Sequence, residues 1–287
     1  MLAPAKINLF LHVAPRRADG YHELEALVGF VACGDEIEAE RAADIRLDVV
    51  GPFAAELAGE DNIVLRAARA LQAHAAGCGV SATGARLRLT KNLPVASGIG
   101  GGSSDAATAL RVLCALWDMQ PGEEALCKLG LELGADVPVC LFGKTAWMTG
   151  IGEVVEAAPV LPRLSVLVVN PRVPVSTRDA YGGFDRGVTG TEKKSPVARP
   201  AAFADAAALV AFLESQRNDL EPAAMALAPV RRVLAELWNA GADLARMSGS
   251  GATCFGLFFE PGTAAAAVSV IRARNSGWWV VESELLP

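Results

Sequence analysis

The sequence has few of the residues that build metal centres and disulfide frameworks. Its six cysteines form no CxxC pair, and its three histidines form neither an HExxH motif nor a zinc-ribbon spacing, so the common zinc-site patterns are excluded. We therefore expect mostly buried, reduced thiols. Long apolar runs are also absent, since no stretch approaches the length of a membrane span.

An excess of positive charge is lacking as well. The chain carries 26 Lys and Arg against 32 Asp and Glu, and this net charge of −6 argues against general attraction to nucleic acid or to a membrane surface. The apolar run near the first residue has no basic region before it and is interrupted by Lys6, which makes it a poor signal peptide. We expect a cytoplasmic protein with no membrane or nucleic-acid partner, and the sequence indicates no oligomeric state.

The chain does have a hydrophobic content of 52% over 287 residues, enough to bury a substantial core. Strand-like and helix-like runs follow each other without regular alternation, which favours an α+β fold over a doubly wound sheet. Residues 182–200 combine Gly, Pro and polar residues without a period and predict a mobile loop. Strands are predicted at 6–14, 24–31, 37–40, 45–50, 85–91, 164–171 and 278–283 and after residues 248–251, and helices at 60–77, 106–117, 123–134, 202–214, 222–238 and 263–275.

The segment "PVASGIGGGSSDAATAL" at 94–110 places four glycines within five positions, between a predicted strand and a predicted helix. Ser103, Ser104 and Asp105 are residue types that cap helix starts. Unpaired N–H groups at a helix start, together with glycines that let an anion approach the backbone, predict a phosphate-binding loop. The alternative is a glycine hairpin packed against a neighbouring element. No Gly-Lys-Ser/Thr follows, and Ser103 replaces the third glycine of GxGxxG, so two well-known phosphate loops are excluded.

Three charged residues are candidates for chemistry. Lys6 interrupts an apolar strand, either at an edge with its amine in solvent or paired with a carboxylate. Asp136 is a candidate partner, or it caps a helix ahead of Pro138. Lys91, just before the glycine loop, is either a solvated strand-end charge or a residue that reaches a bound nucleotide.

The chain has only two tyrosines, Tyr21 and Tyr181. Each is a surface aromatic by default, whereas a flat substrate ring would favour stacking from both sides. His22 is either a turn residue or a polar reader of a base. The second glycine loop, at 248–251, is as consistent with a tight turn as with a ligand contact.

Five segments occur along the chain in the order "PAKINLFLHV", "RADGYHELE", "LPVASGIGGGSSDAATAL", "LGADVPV" and "SGSGATCFGLF". Together they resemble the GHMP kinase superfamily, and the resemblance covers nearly the whole chain. The glycine loop alone indicates the superfamily, while "PAKINLFL" with "DGYH" and the triple glycine before Ser-Ser points to members that phosphorylate diphosphocytidyl methylerythritol. The resemblance implies a ribosomal-protein-S5-like domain at 1–157, a ferredoxin-like domain at 158–287, and an active site between them.

The resemblance also implies an activity and roles for individual residues. The activity is transfer of the ATP γ-phosphoryl group, with Mg²⁺, to the 2-hydroxyl of the substrate, in the non-mevalonate route to isoprenoid precursors. Asp136 is then the catalytic carboxylate and Lys6 its charged neighbour, while Asn8 holds the substrate. Tyr21 and Tyr181 sandwich the cytosine and His22 reads its polar edge. The ATP-binding residues are Asn62, Lys91, Gly98, Gly100, Gly101, Gly102, Ser103 and Ser104, with Ser104 also a Mg²⁺ ligand.

Two other functions remain open at this point. Another GHMP kinase would act on a small alcohol such as homoserine or mevalonate, but such a substrate does not need the stacking residues Tyr21 and His22. A nucleotide-binding sensor without activity would keep the glycine loop, yet phosphate binding alone does not require Asp136 and Lys6.

Overall fold

The structure is a computed structural model that describes residues 1–57, 62–187 and 196–286. The chain forms two compact units, and each combines strands with helices, as the predicted α+β class requires. The first unit contains Met1–Ala5, Gly34–Val95 and Gly100–Gly143, and the second contains Lys6–Cys33, Ala96–Ile99 and Lys144–Pro287.

Two long strands contribute residues to both units. β1 (Leu2–Arg16) pairs with β2 (His22–Ala42), and the turn between them lies where Asp19 and Gly20 predict one. β2 was predicted as two strands separated by a polar break, and this prediction is wrong. The strand continues through this break because Gly34 has no Cβ to collide with the Ala3 carbonyl oxygen, and because both carboxylate oxygens of the buried Asp35 accept hydrogen bonds.

The first unit packs helices beside a small mixed sheet. The elements are β3 (Arg46–Val50), a 3₁₀ turn (Ala54–Leu57), α1 (Ile63–Gly77), β4 (Gly84–Thr90), α2 (Gly101–Leu116), α3 (Glu123–Leu133) and α4 (Val137–Phe142). β4 pairs antiparallel with the end of β2 and parallel with β3. Asn62 caps the start of α1 as predicted, since its side chain accepts the Val64 N–H at 2.8 Å, whereas Asp61 lies outside the described residues.

The second unit contains a four-stranded antiparallel sheet with helices packed against it. The elements are β5 (Ala146–Gly150), β6 (Val154–Ala157), β7 (Ser165–Asn170), α5 (Thr177–Gly187), α6 (Ala206–Glu214), α7 (Glu221–Met225), α8 (Val230–Asn239), β8 (Leu244–Met247), β9 (Cys254–Phe258), α9 (Pro261–Arg274) and β10 (Trp279–Glu284). The strand order in the sheet is β10-β7-β9-β8. Helices α8 and α9 pack against it, as expected for the ferredoxin-like arrangement. β5 pairs with the first part of β2 and with β6.

Two predictions in the second unit are wrong. The helix predicted at 222–238 is divided into α7 and α8, because Pro229 cannot continue a helix and instead precedes the first turn of α8. The mobile loop predicted at 182–200 begins as the last part of α5, while 188–195 lie outside the described residues. Glycine-rich α5 forms because Ala180 is buried and Gly183 packs closely on Ala223, so tertiary contacts outweigh helix propensity.

All six cysteines are free thiols. The expectation that they are mostly buried is wrong: only Cys140 and Cys254 are buried, and Cys78 is exposed. Complete burial raises the pKa of the Cys254 thiol well above its ordinary value, which keeps it protonated. Within the described residues, no helix is long and apolar enough to cross a membrane.

Candidate active site

The glycine loop forms the start of α2. Gly100 precedes the helix with a φ of +63°, and the first intrahelical bond runs from the Ser104 N–H to the Gly100 carbonyl at 2.8 Å. The N–H groups of Gly101, Gly102 and Ser103 therefore have no intrahelical acceptor. No side chain caps this start among the described residues, and Gly102 is exposed. The segment offers backbone donors that an anion can reach.

The prediction that Ser103, Ser104 or Asp105 caps α2 is wrong. The helix begins at Gly101, two residues before Ser103, because only glycine readily adopts the left-handed backbone at Gly100. Ser104 is buried, and its hydroxyl donates to the Pro4 carbonyl at 2.7 Å. These side chains therefore lie within the first turns of the helix.

Asp105 belongs to a buried cluster of charges in the first unit. Lys91 Nζ donates to Asp35 Oδ2 at 2.5 Å and to Asp105 Oδ2 at 2.7 Å, so the reading of Lys91 as a solvated charge is wrong. Burial raises the pKa of Asp105 to about 7, despite the opposing effect of Lys91. Burial lowers the pKa of Lys91, but the charges of Asp105 and Asp35 outweigh it and place that pKa above its ordinary value. A Cβ on Gly101 would lie 3.3 Å from Lys91 Nζ, so the cluster lies directly against the start of α2.

Asp136 immediately precedes α4, at its N-cap position, and this helix packs against α2 within the first unit. The position matches the predicted helix start, and Pro138 lies in the first turn. The predicted capping bond is absent, because Asp136 already has helical backbone angles (φ −85°, ψ −8°) instead of the extended ones from which a side chain caps. Its half-buried carboxylate is not used as a cap.

Lys6 and Asn8 lie two residues apart on β1, so their side chains share one face. Lys6 is 3% exposed, which contradicts the reading of an amine in solvent, and its Nζ donates to Asn8 Oδ1 at 3.0 Å. Asn8 Nδ2 is buried with no hydrogen-bond partner among the described residues. An unpartnered buried amide is costly, and this is expected of a group that donates to a ligand.

The second glycine loop packs against the first within the second unit. The loop is a turn in which the Gly251 N–H donates to the Ser248 carbonyl at 3.0 Å. Ser248 Oγ donates to the Gly98 carbonyl at 3.0 Å and accepts the Asn8 N–H at 3.1 Å. Gly98 has a φ of +77°, and a Cβ there would lie 2.6 Å from the Ser248 carbonyl oxygen. Ser248 thus connects the glycine loop to the strand that carries Asn8.

His22 and Tyr181 come together in the second unit, with ring centroids 4.9 Å apart. Phe184 lies edge-on to His22 at 5.9 Å, and Asp185 Oδ1 lies 2.8 Å from His22 Nε2. The Tyr21 side chain is 59% exposed. The predicted sandwich by Tyr21 and Tyr181, the pairing of Lys6 with Asp136, and the nucleotide contacts of Asn62, Lys91 and the glycine loop stay predictions.

Several residues of these groups were not identified from the sequence. Asp35, Asp185 and Ser248 find their partners at separations of 56, 163 and 240 residues. Asn218 donates to the carbonyls of Met247 and Gly249 and so supports the second glycine loop. Ser248 lies in the second glycine loop, which was predicted to be a turn or a ligand contact, but nothing local marks Asp35, Asp185 or Asn218.

Two family patterns match the chain. "GHMP kinases N terminal domain" matches residues 62–144, and "GHMP kinases C terminal" matches residues 203–277. The 4-diphosphocytidyl-2-C-methyl-D-erythritol kinase of Parvibaculum lavamentivorans is 48% identical, covering 97% of this chain and 95% of the relative. The enzyme of the same name from Paramagnetospirillum magneticum is 46% identical, covering 99% of this chain and 97% of the relative.

Solved structures give the same similarity. A crystal structure of 4-(cytidine 5'-diphospho)-2C-methyl-D-erythritol kinase has a TM-score of 0.77 and 34% identity, covering 100% of this chain and 99% of the other. The L. major mevalonate kinase has a TM-score of 0.72 at 16% identity, covering 100% of this chain and 95% of the other. This similarity concerns the fold alone.

Proposed function

The chain belongs to the GHMP kinases, and we propose that it transfers the γ-phosphoryl group of ATP to the 2-hydroxyl of 4-diphosphocytidyl-2-C-methyl-D-erythritol. The observation that carries this proposal is the full-length similarity to kinases named for that substrate, at 45–48% identity over 96–99% of this chain. The reaction belongs to the non-mevalonate synthesis of isoprenoid precursors. We further propose a cytoplasmic enzyme with domains at 1–157 and 158–287 and the active site between them.

The glycine loop would hold the ATP phosphates. The N–H groups of Gly101, Gly102 and Ser103 lack intrahelical acceptors and lie at the positive end of the α2 dipole, which suits an anion. Gly98 and Gly100 have positive φ angles and keep the backbone open for close approach. Asn62 and Lys91 would lie near the adenosine, with Lys91 acting through the buried cluster as well.

Asp136, Lys6 and Asn8 would act on the alcohol. Asp136 would orient the 2-hydroxyl and accept its proton while the oxygen forms a bond to the γ-phosphorus and the bond to the β,γ-bridging oxygen breaks, releasing ADP. Lys6 would stabilise the charge that moves between these groups. The unpartnered Nδ2 of Asn8 would donate to the substrate.

Mg²⁺ is the metal expected with ATP, and the donors present are consistent with it. Mg²⁺ is usually held by substrate phosphates, water and one or two protein oxygens, and among the described residues no group of three His, Cys, Asp or Glu side chains forms a protein cage. Ser104 would supply an oxygen ligand, because its hydroxyl proton is directed to Pro4 and its lone pairs remain. When bound, the ion neutralises charge on the phosphates.

The cytosine would bind at His22 and Tyr181. Tyr181 and Tyr21 would contact the two faces of the ring, and the imidazole of His22 would read its polar edge. The exposed side chain of Tyr21 leaves one aromatic face available for such a contact.

A comparison of substrates tests this function. Release of ADP from ATP and Mg²⁺ would be followed with diphosphocytidyl methylerythritol, homoserine, mevalonate and galactose in parallel. We expect turnover with the first alone, because only that substrate has a base for His22 and Tyr181. Activity confined to any of the other three would overturn the assignment.

A further inference from the structure

Helix α5 brings a carboxylate to the histidine of the proposed base site. Asp185 Oδ1 lies 2.8 Å from His22 Nε2, and the two residues are 163 positions apart. His22 is 8% exposed, while the Asp185 side chain is 29% exposed. The imidazole therefore has one nitrogen held by an acidic group on a different element.

A carboxylate fixes which nitrogen of a neutral imidazole carries the proton. An ionised carboxylate can only accept hydrogen bonds, so Nε2 must be the donor toward Asp185. In a neutral imidazole the other nitrogen is then an acceptor. Nδ1 of His22 thus presents a lone pair.

The surroundings of His22 oppose a rotation that would exchange the two nitrogens. Tyr181 lies against the ring with centroids 4.9 Å apart at an interplanar angle of 35°. Phe184 meets it edge-on at 5.9 Å. Phe184 and Asp185 follow Tyr181 by one turn of the same helix, so α5 sets both the plane and the tautomer of the ring.

We propose that Asp185 is a specificity-determining positioning residue, which keeps the proton of His22 on Nε2 so that Nδ1 accepts a hydrogen bond from the exocyclic amino group of the substrate base. Cytosine has an amino donor at position 4, whereas a uracil-type ring has an oxygen acceptor there. The His22 Nδ1 acceptor therefore complements the amino group of cytosine, whereas it would face a lone pair on the oxygen of a uracil-type ring. This inference rests on the proposed function and adds the residue that selects the base.

Base selectivity is the first test. The values of kcat/KM would be measured for diphosphocytidyl methylerythritol and for its uridine analogue, with the wild type and Asp185→Asn. An Asn side chain can accept from Nε2 or donate to it, so both tautomers become available. We expect the cytidine-to-uridine ratio to fall by roughly tenfold or more, the worth of one hydrogen bond, with most of the change in KM.

Asp179→Asn is the matched control. Asp179 is an exposed carboxylate on the same helix, so its replacement removes the same charge without touching His22. The cytidine-to-uridine ratio of kcat/KM for Asp179→Asn should equal that of the wild type. An unchanged ratio in Asp185→Asn, with a wild type active on the cytidine substrate, overturns the role of Asp185 and leaves the proposed function intact. A wild type inactive on that substrate overturns the proposed function and, with it, this role in base selection.

Nitrogen NMR of isotope-labelled histidine tests the tautomer without activity. The chain has three histidines, and His12→Gln and His74→Gln variants assign their signals. We expect His22 to show a protonated Nε2 and an unprotonated Nδ1 in the wild type, and a mixture in Asp185→Asn. A protonated Nδ1 in the wild type, alone or together with Nε2, overturns the inference.

Discussion

Lys91 Nζ lies 2.7 Å from Asp105 Oδ2, and both side chains are almost completely buried. Asp35 accepts a hydrogen bond from the same ammonium group and also from the backbone N–H groups of Asn92 and Leu93. The cluster therefore connects β2, the end of β4 and the glycine-loop helix α2. The cluster lies against the start of α2, where the backbone N–H groups that we propose as phosphate donors are found.

Lys91→Met should destabilise the fold strongly. The variant removes the ammonium group that pairs with both carboxylates and leaves the buried Asp35 and Asp105 facing each other, a change that typically costs about 3–5 kcal/mol. The loss in the free energy of unfolding would be measured by urea denaturation. Arg46→Met is the control, because Arg46 and Asp44 form an exposed pair whose loss should cost less than about 1 kcal/mol. Equal effects of the two substitutions would contradict the structural role of the cluster.

Asp105 should make stability depend on pH. Its pKa is about 7 in the folded protein against an ordinary 3.8, so the folded state binds the proton more tightly than the unfolded chain. The stability that this proton provides is present below about pH 4 and is lost as the pH rises through about 7. Asp105→Asn resembles the protonated form at every pH. The wild type should therefore lose stability relative to this variant between pH 5 and 8, by at most about 1.4 kcal/mol per pH unit. A constant difference across that range would refute the raised pKa.

Gly98→Ala should disturb the contact between the two glycine loops. The new Cβ would meet the Ser248 carbonyl oxygen at 2.6 Å, and alanine is strained at a φ of +77°. We expect a loss of roughly 2–4 kcal/mol in unfolding free energy, together with lower turnover. Gly77→Ala is the control, since a Cβ there meets nothing within 4 Å and should raise stability by up to about 1 kcal/mol. Similar unfolding free energies of Gly98→Ala and Gly77→Ala would contradict a tight contact between the two glycine loops.

Asp136→Asn should lower turnover by at least about a hundredfold, because general-base assistance usually contributes about 10²–10⁴ in rate. The KM values should change much less, since an amide keeps the shape of the side chain. Glu132→Gln, an exposed neutral substitution in the same unit, should leave both constants unchanged. Near-normal turnover of Asp136→Asn would remove Asp136 from the mechanism.

Much of the fold could be predicted because the signals are local. The apolar runs predicted β1 and β7, Asn62 and Gly134 marked helix ends, and the glycine segment preceded α2 as expected. The motifs around Lys6, Tyr21, Gly100, Asp136 and Ser248 together indicated the family. These features depend on residue types at short spacing, which a sequence displays directly.

The remaining features depend on partners that are distant in the chain. Asp105 was expected to cap a helix, but Lys91 and Asp35 hold it in the interior. The start of α5 and its end at Gly187 could not be predicted from a Gly-rich segment, because contacts with His22 and Ala223 stabilise the helix. Local propensity carries no information about such pairings.

The position of the transferred phosphate tests the central claim most directly. The enzyme would be incubated with ATP, Mg²⁺ and diphosphocytidyl methylerythritol carrying an isotope label at carbon 2, and the product analysed by phosphorus NMR. We predict a new phosphomonoester whose phosphorus couples to the labelled carbon, formed in step with ADP. Inorganic phosphate in place of that ester, or a new phosphomonoester whose phosphorus shows no coupling to the labelled carbon, would contradict the account.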